Sequence, residues 1–182
     1  MKFKTAVATI LLTSATYSQA LLADTNIMPS PNGITLPEAY KDWKVISMSH
    51  RTDNHSMRVI LGNEQAIKAA RKGSTNPWPK GTILGKLVWK QKAEEHWPTA
   101  ISPDKFVHAE FMFKDSKKYK TTGGWGYARW VGLEQKPYGA DENFALECMA
   151  CHTPVKDNDW GIYKASGYAL AFENKDQIPV CS

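Results

Sequence analysis

Cysteine is scarce in this chain, with three in 182 residues. So few exclude a disulfide-scaffold fold, and a chain of this length can build one sizeable hydrophobic core without such staples. Long apolar runs are missing too. The longest, Thr5 to Thr16, is too short to span a bilayer, so no membrane span is expected. There are no internal repeats and no low-complexity linker, which favours a single domain. Neither sign of charge dominates: 23 Lys and Arg face 18 Asp and Glu, a formal net charge of +5. A balance that mild permits weak steering toward acidic partners and gives no reason to expect nucleic acid. No Ser-His-Asp order and no phosphate-binding glycine loop is found.

What is there is concentrated in five residues, Cys148-Met149-Ala150-Cys151-His152. The spacing C-x-x-C-H is the attachment signature of a c-type haem. Two thiols add to the two vinyl groups on one edge of a porphyrin, and the adjacent imidazole turns beneath to bind iron. A thioredoxin-type pair would follow a strand in a βαβ unit, and no such pattern precedes this one. A tetrahedral zinc site would need a second ligand pair at short spacing, and none is visible. Cys181 is then left over near the C-terminus, read as an unpaired terminal thiol, with an intermolecular disulfide as the alternative.

The N-terminus has the form of an export signal. Met1-Lys2-Phe3-Lys4 is cationic, the apolar run follows, and Ser18-Gln19-Ala20 offers small residues for cleavage after Ala20, with Ala23 a second candidate. A signal peptide over residues 1–20 and a periplasmic location are expected, and that compartment suits covalent haem attachment.

Residues 24–35 contain Pro29, Pro31 and Gly33 and read as an extended lead-in to a domain over 36–182. A short helix is predicted from Pro37 to Trp43, and strands over Val45–Ser49 and Met57–Leu61. Asn63 caps a helix from Glu64 to Lys72 that Gly73 ends. A tight loop at 76–81 precedes a strand from Thr82 to Trp89. Val107–Phe113 and Gly124–Leu133 alternate with the period of strands, with Trp125, Tyr127, Arg129 and Val131 sharing a face. The segment Lys114–Thr122 between them reads as a solvated basic turn. A short helix over Asn143–Cys151 carries the haem motif. The fold class is α+β, a predominantly antiparallel sheet with two or three helices.

These residues, in their order, resemble the cytochrome P-460 family, which includes the cytochromes c′-beta. The resemblance rests on Tyr40-x-x-Trp43, Met57-Arg58-Val59-Ile60, Pro79-x-Gly81-Thr82-x-x-x-Lys86-Leu87-Val88, Tyr127-x-x-x-Val131-Gly132-Leu133 and Glu147-Cys148-x-x-Cys151-His152, and covers about residues 36 to 155. It implies a mostly β homodimer holding a five-coordinate haem with a vacant distal side. In the P-460 branch hydroxylamine is oxidised, in some members through nitric oxide, and a lysine is joined covalently to the porphyrin. In the c′-beta branch nitric oxide or carbon monoxide binds, with turnover not required.

The resemblance makes Lys86 the candidate for the extra haem link. Read on its own, Lys86 shares a strand face with Leu84 and Val88, so its ammonium is either poorly solvated or reaches out to water. Arg58 matches the family's distal arginine, where a guanidinium would donate hydrogen bonds to a bound nitrogen ligand. Its alternative is an ion pair with Asp53 or Glu64. Oxidation also benefits from a distal carboxylate to accept protons. Glu142 is the choice among Asp141, Glu142 and Glu147, each of which could equally serve as helix N-terminal charge. Should the distal side carry only apolar groups such as Phe111, Met112 or Phe113, gas binding is favoured.

His50, His55, His96 and His108, and Met48, Met57 and Met112, are alternative sixth ligands. A Met/His pair would make a plain electron carrier. Most of Trp43, Trp78, Trp89, Trp97, Trp125 and Trp130 are read as core or pocket wall, and Trp160 as outside the core. The expected protein is a monohaem cytochrome whose haem c is held by Cys148, Cys151 and His152. Hydroxylamine or nitric oxide is its small ligand, and a small cytochrome takes its electrons.

Overall fold

The structure, a computed structural model, describes residues 27–162. Both cleavage candidates and Cys181 lie outside the described residues. Six strands form one sheet: β1 (Lys44–Arg51), β2 (Ser56–Gly62), β3 (Ile83–Ala93), β4 (Ile101–Lys114), β5 (Trp125–Val131) and β6 (Lys136–Pro137). All pairs are antiparallel and neighbours follow chain order. Helix α1 (Glu64–Arg71) fills the connection from β2 to β3, and α2 (Phe144–His152) follows β6. The single-domain α+β fold read from the sequence is the one observed.

Local chemistry explains where the elements begin. The Asn63 side-chain oxygen accepts from the N–H of Ala66 at 3.0 Å and of Ile83 at 3.1 Å, so one amide caps α1 and ties it to the start of β3. The β3–β4 hairpin runs further than the apolar pattern suggests. Past the end of β2 it continues as two strands alone, with Gln91, Lys92 and Ala93 opposite Pro103, Ser102 and Ile101. Trp97 sits at that tip, beyond reach of the core, and is 70 % exposed rather than a core or pocket-wall residue.

Alternation along the strands divides the sheet into two faces. The back face buries Leu61, Ala109, Phe111, Ala128 and Trp130 beneath Ile34, Leu36 and Tyr40. The stretch before the domain is thus part of its core. Trp130 Nε1 donates to the Met28 carbonyl at 3.0 Å and Asn32 Nδ2 to the Tyr127 carbonyl at 2.8 Å, fixing that stretch across the sheet. Gly85 is required here: a Cβ would lie 2.8 Å from Phe111 Cε1 and 3.6 Å from the Trp43 ring.

The front face has two regions. At one end Ile46, Ile60, Leu84, Trp125 and Tyr127 pack with Ala66, Ile67, Ala69 and Ala70 of α1, with Trp78, and with Ala145 of α2. Toward the other, Lys86, Glu110 and Arg129 stand opposite one another across β3, β4 and β5.

Two side chains near the first region differ from their sequence reading. Lys114, expected in a solvated turn, closes β4 with its side chain only 6 % exposed, because Asp159 supplies a buried counter-charge. Trp160, expected outside the core, packs against the front cluster. Its indole occupies the space where a side chain on Gly123 would stand.

Candidate functional site

Helix α2 is seated by its first turn. Phe144 and Ala145 are buried, and the Asn143 N–H donates to Asp141 Oδ1 at 2.8 Å just before the helix starts. Residues three and four apart lie on one side of a helix, so Cys148, Cys151 and His152 are grouped. All three line a cavity of about 450 Å³ between α2 and the front of the sheet. That volume lies within the range of ligand and cofactor pockets, roughly 300–1,000 Å³.

The chemistry of the donor set is specific. Burial pushes the Cys148 thiol pKa up, so it stays protonated and is no activated nucleophile. Burial likewise lowers the pKa of His152 and favours its neutral ring. His152 Nδ1 lies 2.6 Å from the Trp160 carbonyl oxygen. A carbonyl only accepts, so the proton is on Nδ1 and the lone pair on Nε2, the form in which an imidazole binds a metal. The Tyr127 ring stands 5.6 Å from the His152 ring. The buried Tyr127 hydroxyl also lines the cavity and has no hydrogen-bond partner among the described residues. Burial raises its pKa, so it remains a donor available to a guest.

Two adjacent thiols, a neutral imidazole, an unsatisfied hydroxyl and a cavity of this size fit a haem. Among the described residues no three of His, Cys, Asp and Glu cluster to hold a metal ion, so an iron bound by His152 needs its other ligands from elsewhere.

The sheet contributes the opposite wall. Glu110 Oε2 pairs with Lys86 Nζ, while Oε1 accepts from Arg129 at 2.6 Å and lies 3.2 Å from His108 Nε2. Burial works against the charged form of Glu110, but Lys86 and then Arg129 outweigh it and hold the carboxyl below its ordinary range. His108, pushed down to about 4 by burial, is neutral at physiological pH. Arg129 also lies over the Tyr138 ring at 4.4 Å, and the Tyr138 hydroxyl donates to Glu147 Oε2 at 3.2 Å.

The structure brings Lys86, Arg58, Cys148, Cys151 and His152 to this cavity and leaves Glu142 out of its lining. Glu142 is exposed before α2, whereas Glu147 lines the cavity. Of the two carboxylates weighed as partners for Arg58, Glu64 pairs with Lys68 at 2.6 Å, while Asp53 pairs with Arg51 and also feels the Arg58 charge. Glu110 is the carboxylate that sequence reasoning passed over. Alternation placed it opposite Phe111 on β4, but only the strand register sets it beside Lys86 and Arg129. Among the alternative ligands, Met112 lines the cavity and Met48 is 70 % exposed. His50 pairs with Gln91, His55 and His96 are exposed, and His108 faces Glu110 from outside the cavity lining.

An antiparallel sheet with a thiol- and imidazole-bearing helix over one face, and a charged row beneath it, is an arrangement that suits a haem in a mostly-β protein. The chain belongs to the Cytochrome P460 family, whose sequence model matches residues 37–163. A comparison with curated proteins found none that matches. Membership carries a haem cofactor. No helix among the described residues is long and apolar enough to cross a membrane.

Proposed function

We propose that the protein is an exported, periplasmic cytochrome that oxidises hydroxylamine. Cys148 and Cys151 would hold its haem by two thioether bonds, and His152 would bind the iron. The observation that carries the reaction is the Glu110 carboxylate in the cavity wall, clasped by Lys86 and Arg129. A gas-binding pocket has no use for a proton acceptor. Oxidation of hydroxylamine releases protons together with electrons, so it needs one.

When bound, the haem supplies an iron site for the small nitrogen ligand and a path for its electrons. The chain does the rest. The Trp160 carbonyl keeps the proton of His152 on Nδ1 and its Nε2 lone pair available. Arg58, which lines the cavity, donates hydrogen bonds to the bound substrate. Glu110 takes the protons that leave nitrogen and oxygen. Its base strength depends on Lys86, the strongest of the attractions that depress its pKa. Joining the Lys86 nitrogen to the porphyrin, with two electrons passed to an external oxidant and the protons released to water, would remove that positive charge. Burial would then be opposed by less positive charge, Arg129 still among it, and the carboxylate would become the stronger base for it. The electrons leave to an external acceptor, a small cytochrome, and the working unit is a homodimer by family resemblance.

Lys86→Ala is the test. The purified holoprotein with Lys86 intact should show a mass matching three protein–haem links and a ferrous Soret band shifted far to the red, and the variant should lose both. Two links in both proteins and identical spectra would defeat the role given to Lys86. Tight nitric oxide binding with no hydroxylamine turnover would move the protein to the gas-binding reading.

A further inference from the structure

Behind His152 lies a buried ion pair that the reaction itself does not use. Lys114 Nζ, at the end of β4, is 2.5 Å from Asp159 Oδ1, with the two side chains 6 % and 9 % exposed. The other Asp159 oxygen accepts the Trp78 N–H at 2.7 Å. The Trp125 indole donates to the Asp159 carbonyl at 2.9 Å, and the Lys114 ammonium sits 4.8 Å from the centre of the same indole. Two charges withdrawn from water carry a large desolvation cost, and here it is offset by their mutual hydrogen bond, by the Trp78 N–H on the carboxylate and by the Trp125 ring beneath the ammonium.

The segment held in this way is unusual. Asp159 and Trp160 have φ of 46° and 65°, consecutive left-handed residues that are not glycine. Such a conformation persists only where its surroundings over-determine it. Those surroundings are dense: Asn76 Nδ2 donates to the Asp157 carbonyl at 2.8 Å, Asn158 Nδ2 to the Gly161 carbonyl at 2.7 Å, and the Trp160 N–H to the Val155 carbonyl at 3.2 Å. Gly123 leaves room for the Trp160 indole. The result of all this constraint is one carbonyl, that of Trp160, aimed at His152 Nδ1 from 2.6 Å.

We propose that Lys114 and Asp159 are positioning residues for the axial imidazole: their ion pair fixes the 157–161 turn so that the Trp160 carbonyl sets the orientation of His152 and its electron donation to iron. The acceptor behind an axial histidine tunes the metal it binds, and a neutral carbonyl held at a fixed distance gives one defined strength of donation. The inference rests on the reading of His152 as the haem's axial ligand.

The test uses the holoprotein and the variants Lys114→Met, Asp159→Asn and Lys114→Arg. In the ferrous form, resonance Raman should show the iron–histidine stretch broadened and shifted to lower frequency in the first two, with a midpoint potential shifted upward, and both restored toward wild type in Lys114→Arg. An unchanged stretch and potential in Lys114→Met and Asp159→Asn, at wild-type haem content, would overturn the proposal. A measurement on the unmutated protein stands independently of how the variants fold. The hyperfine-shifted Nδ1 proton of His152 should exchange with deuterium over hours, and complete exchange on mixing would refute a fixed turn. A protein lacking thioether-bound haem would instead bring down the underlying reading.

Discussion

Glu110→Gln separates proton acceptance from everything else the cavity does. The change keeps the side chain's volume and a carbonyl able to accept from Arg129, and removes the charge. A positioned general base contributes about 10²- to 10⁴-fold, or about 3–5 kcal/mol on the barrier, so hydroxylamine-dependent reduction of an electron acceptor should fall by that factor. Nitric oxide binding transfers no proton and should stay within about threefold of wild type, a difference under about 1 kcal/mol. The substitution also leaves Lys86 and Arg129 facing each other without their anion, and their side chains are each 26 % exposed. Removing one member of a fully buried pair costs about 3–5 kcal/mol, so partial solvent access suggests about 1–3 kcal/mol of stability here. Stopped-flow nitric oxide binding, steady-state oxidation under anaerobic conditions and a thermal melt together check the whole prediction. A Glu110→Gln protein that melts earlier yet oxidises hydroxylamine at the wild-type rate would show that the carboxylate is a structural counter-ion and refute its role as a base.

Acidification tests His108. Its folded pKa of about 4 lies below the ordinary 6.5, so between those values the unfolded chain binds a proton that the folded one does not. Stability should therefore be full above pH 6.5 and decline toward pH 4, by about 3 kcal/mol in all, and His108→Gln should flatten that part of the melting-temperature profile. The same slope in the variant would disprove the assignment. Gly85→Ala introduces a Cβ 2.8 Å from Phe111 Cε1, on a ring already packed edge-on against Trp43, Tyr40 and Trp130. Overpacking of that kind should cost about 1–3 kcal/mol in chemical denaturation without altering ligand spectra, and an undiminished midpoint would contradict the packing described. Cys148→Ser should leave the haem attached through Cys151 alone with one free vinyl group, read as a red-shifted pyridine haemochrome band, and an unchanged band would rule out that cysteine as an anchor.

Residues that announce themselves by identity and short spacing were legible in the sequence: the C-x-x-C-H group, the Asn63 cap, the strand alternation and the faces it defines. Lys86 was correctly placed with Leu84 and Val88 because a two-residue period needs no knowledge of neighbouring strands. What the sequence withheld was set by register and by contacts across the fold. Glu110 is one acidic residue on a polar strand face until Lys86 and Arg129 are seen opposite it, 24 and 19 positions away. Lys114 reads as the first residue of a basic turn until Asp159, 45 positions on, is found against it. Both misreadings have one physical origin. A charge looks solvated in sequence because solvation is its cheapest state, and only a partner brought by the tertiary fold makes burial tolerable. The two carboxylates lie in different settings. Glu110 is in the wall of the cavity, where a proton can reach it. Asp159 is sealed behind the helix, where its charge can only hold a backbone in place. That difference is why the base role proposed above falls to Glu110 and the positioning role to Asp159.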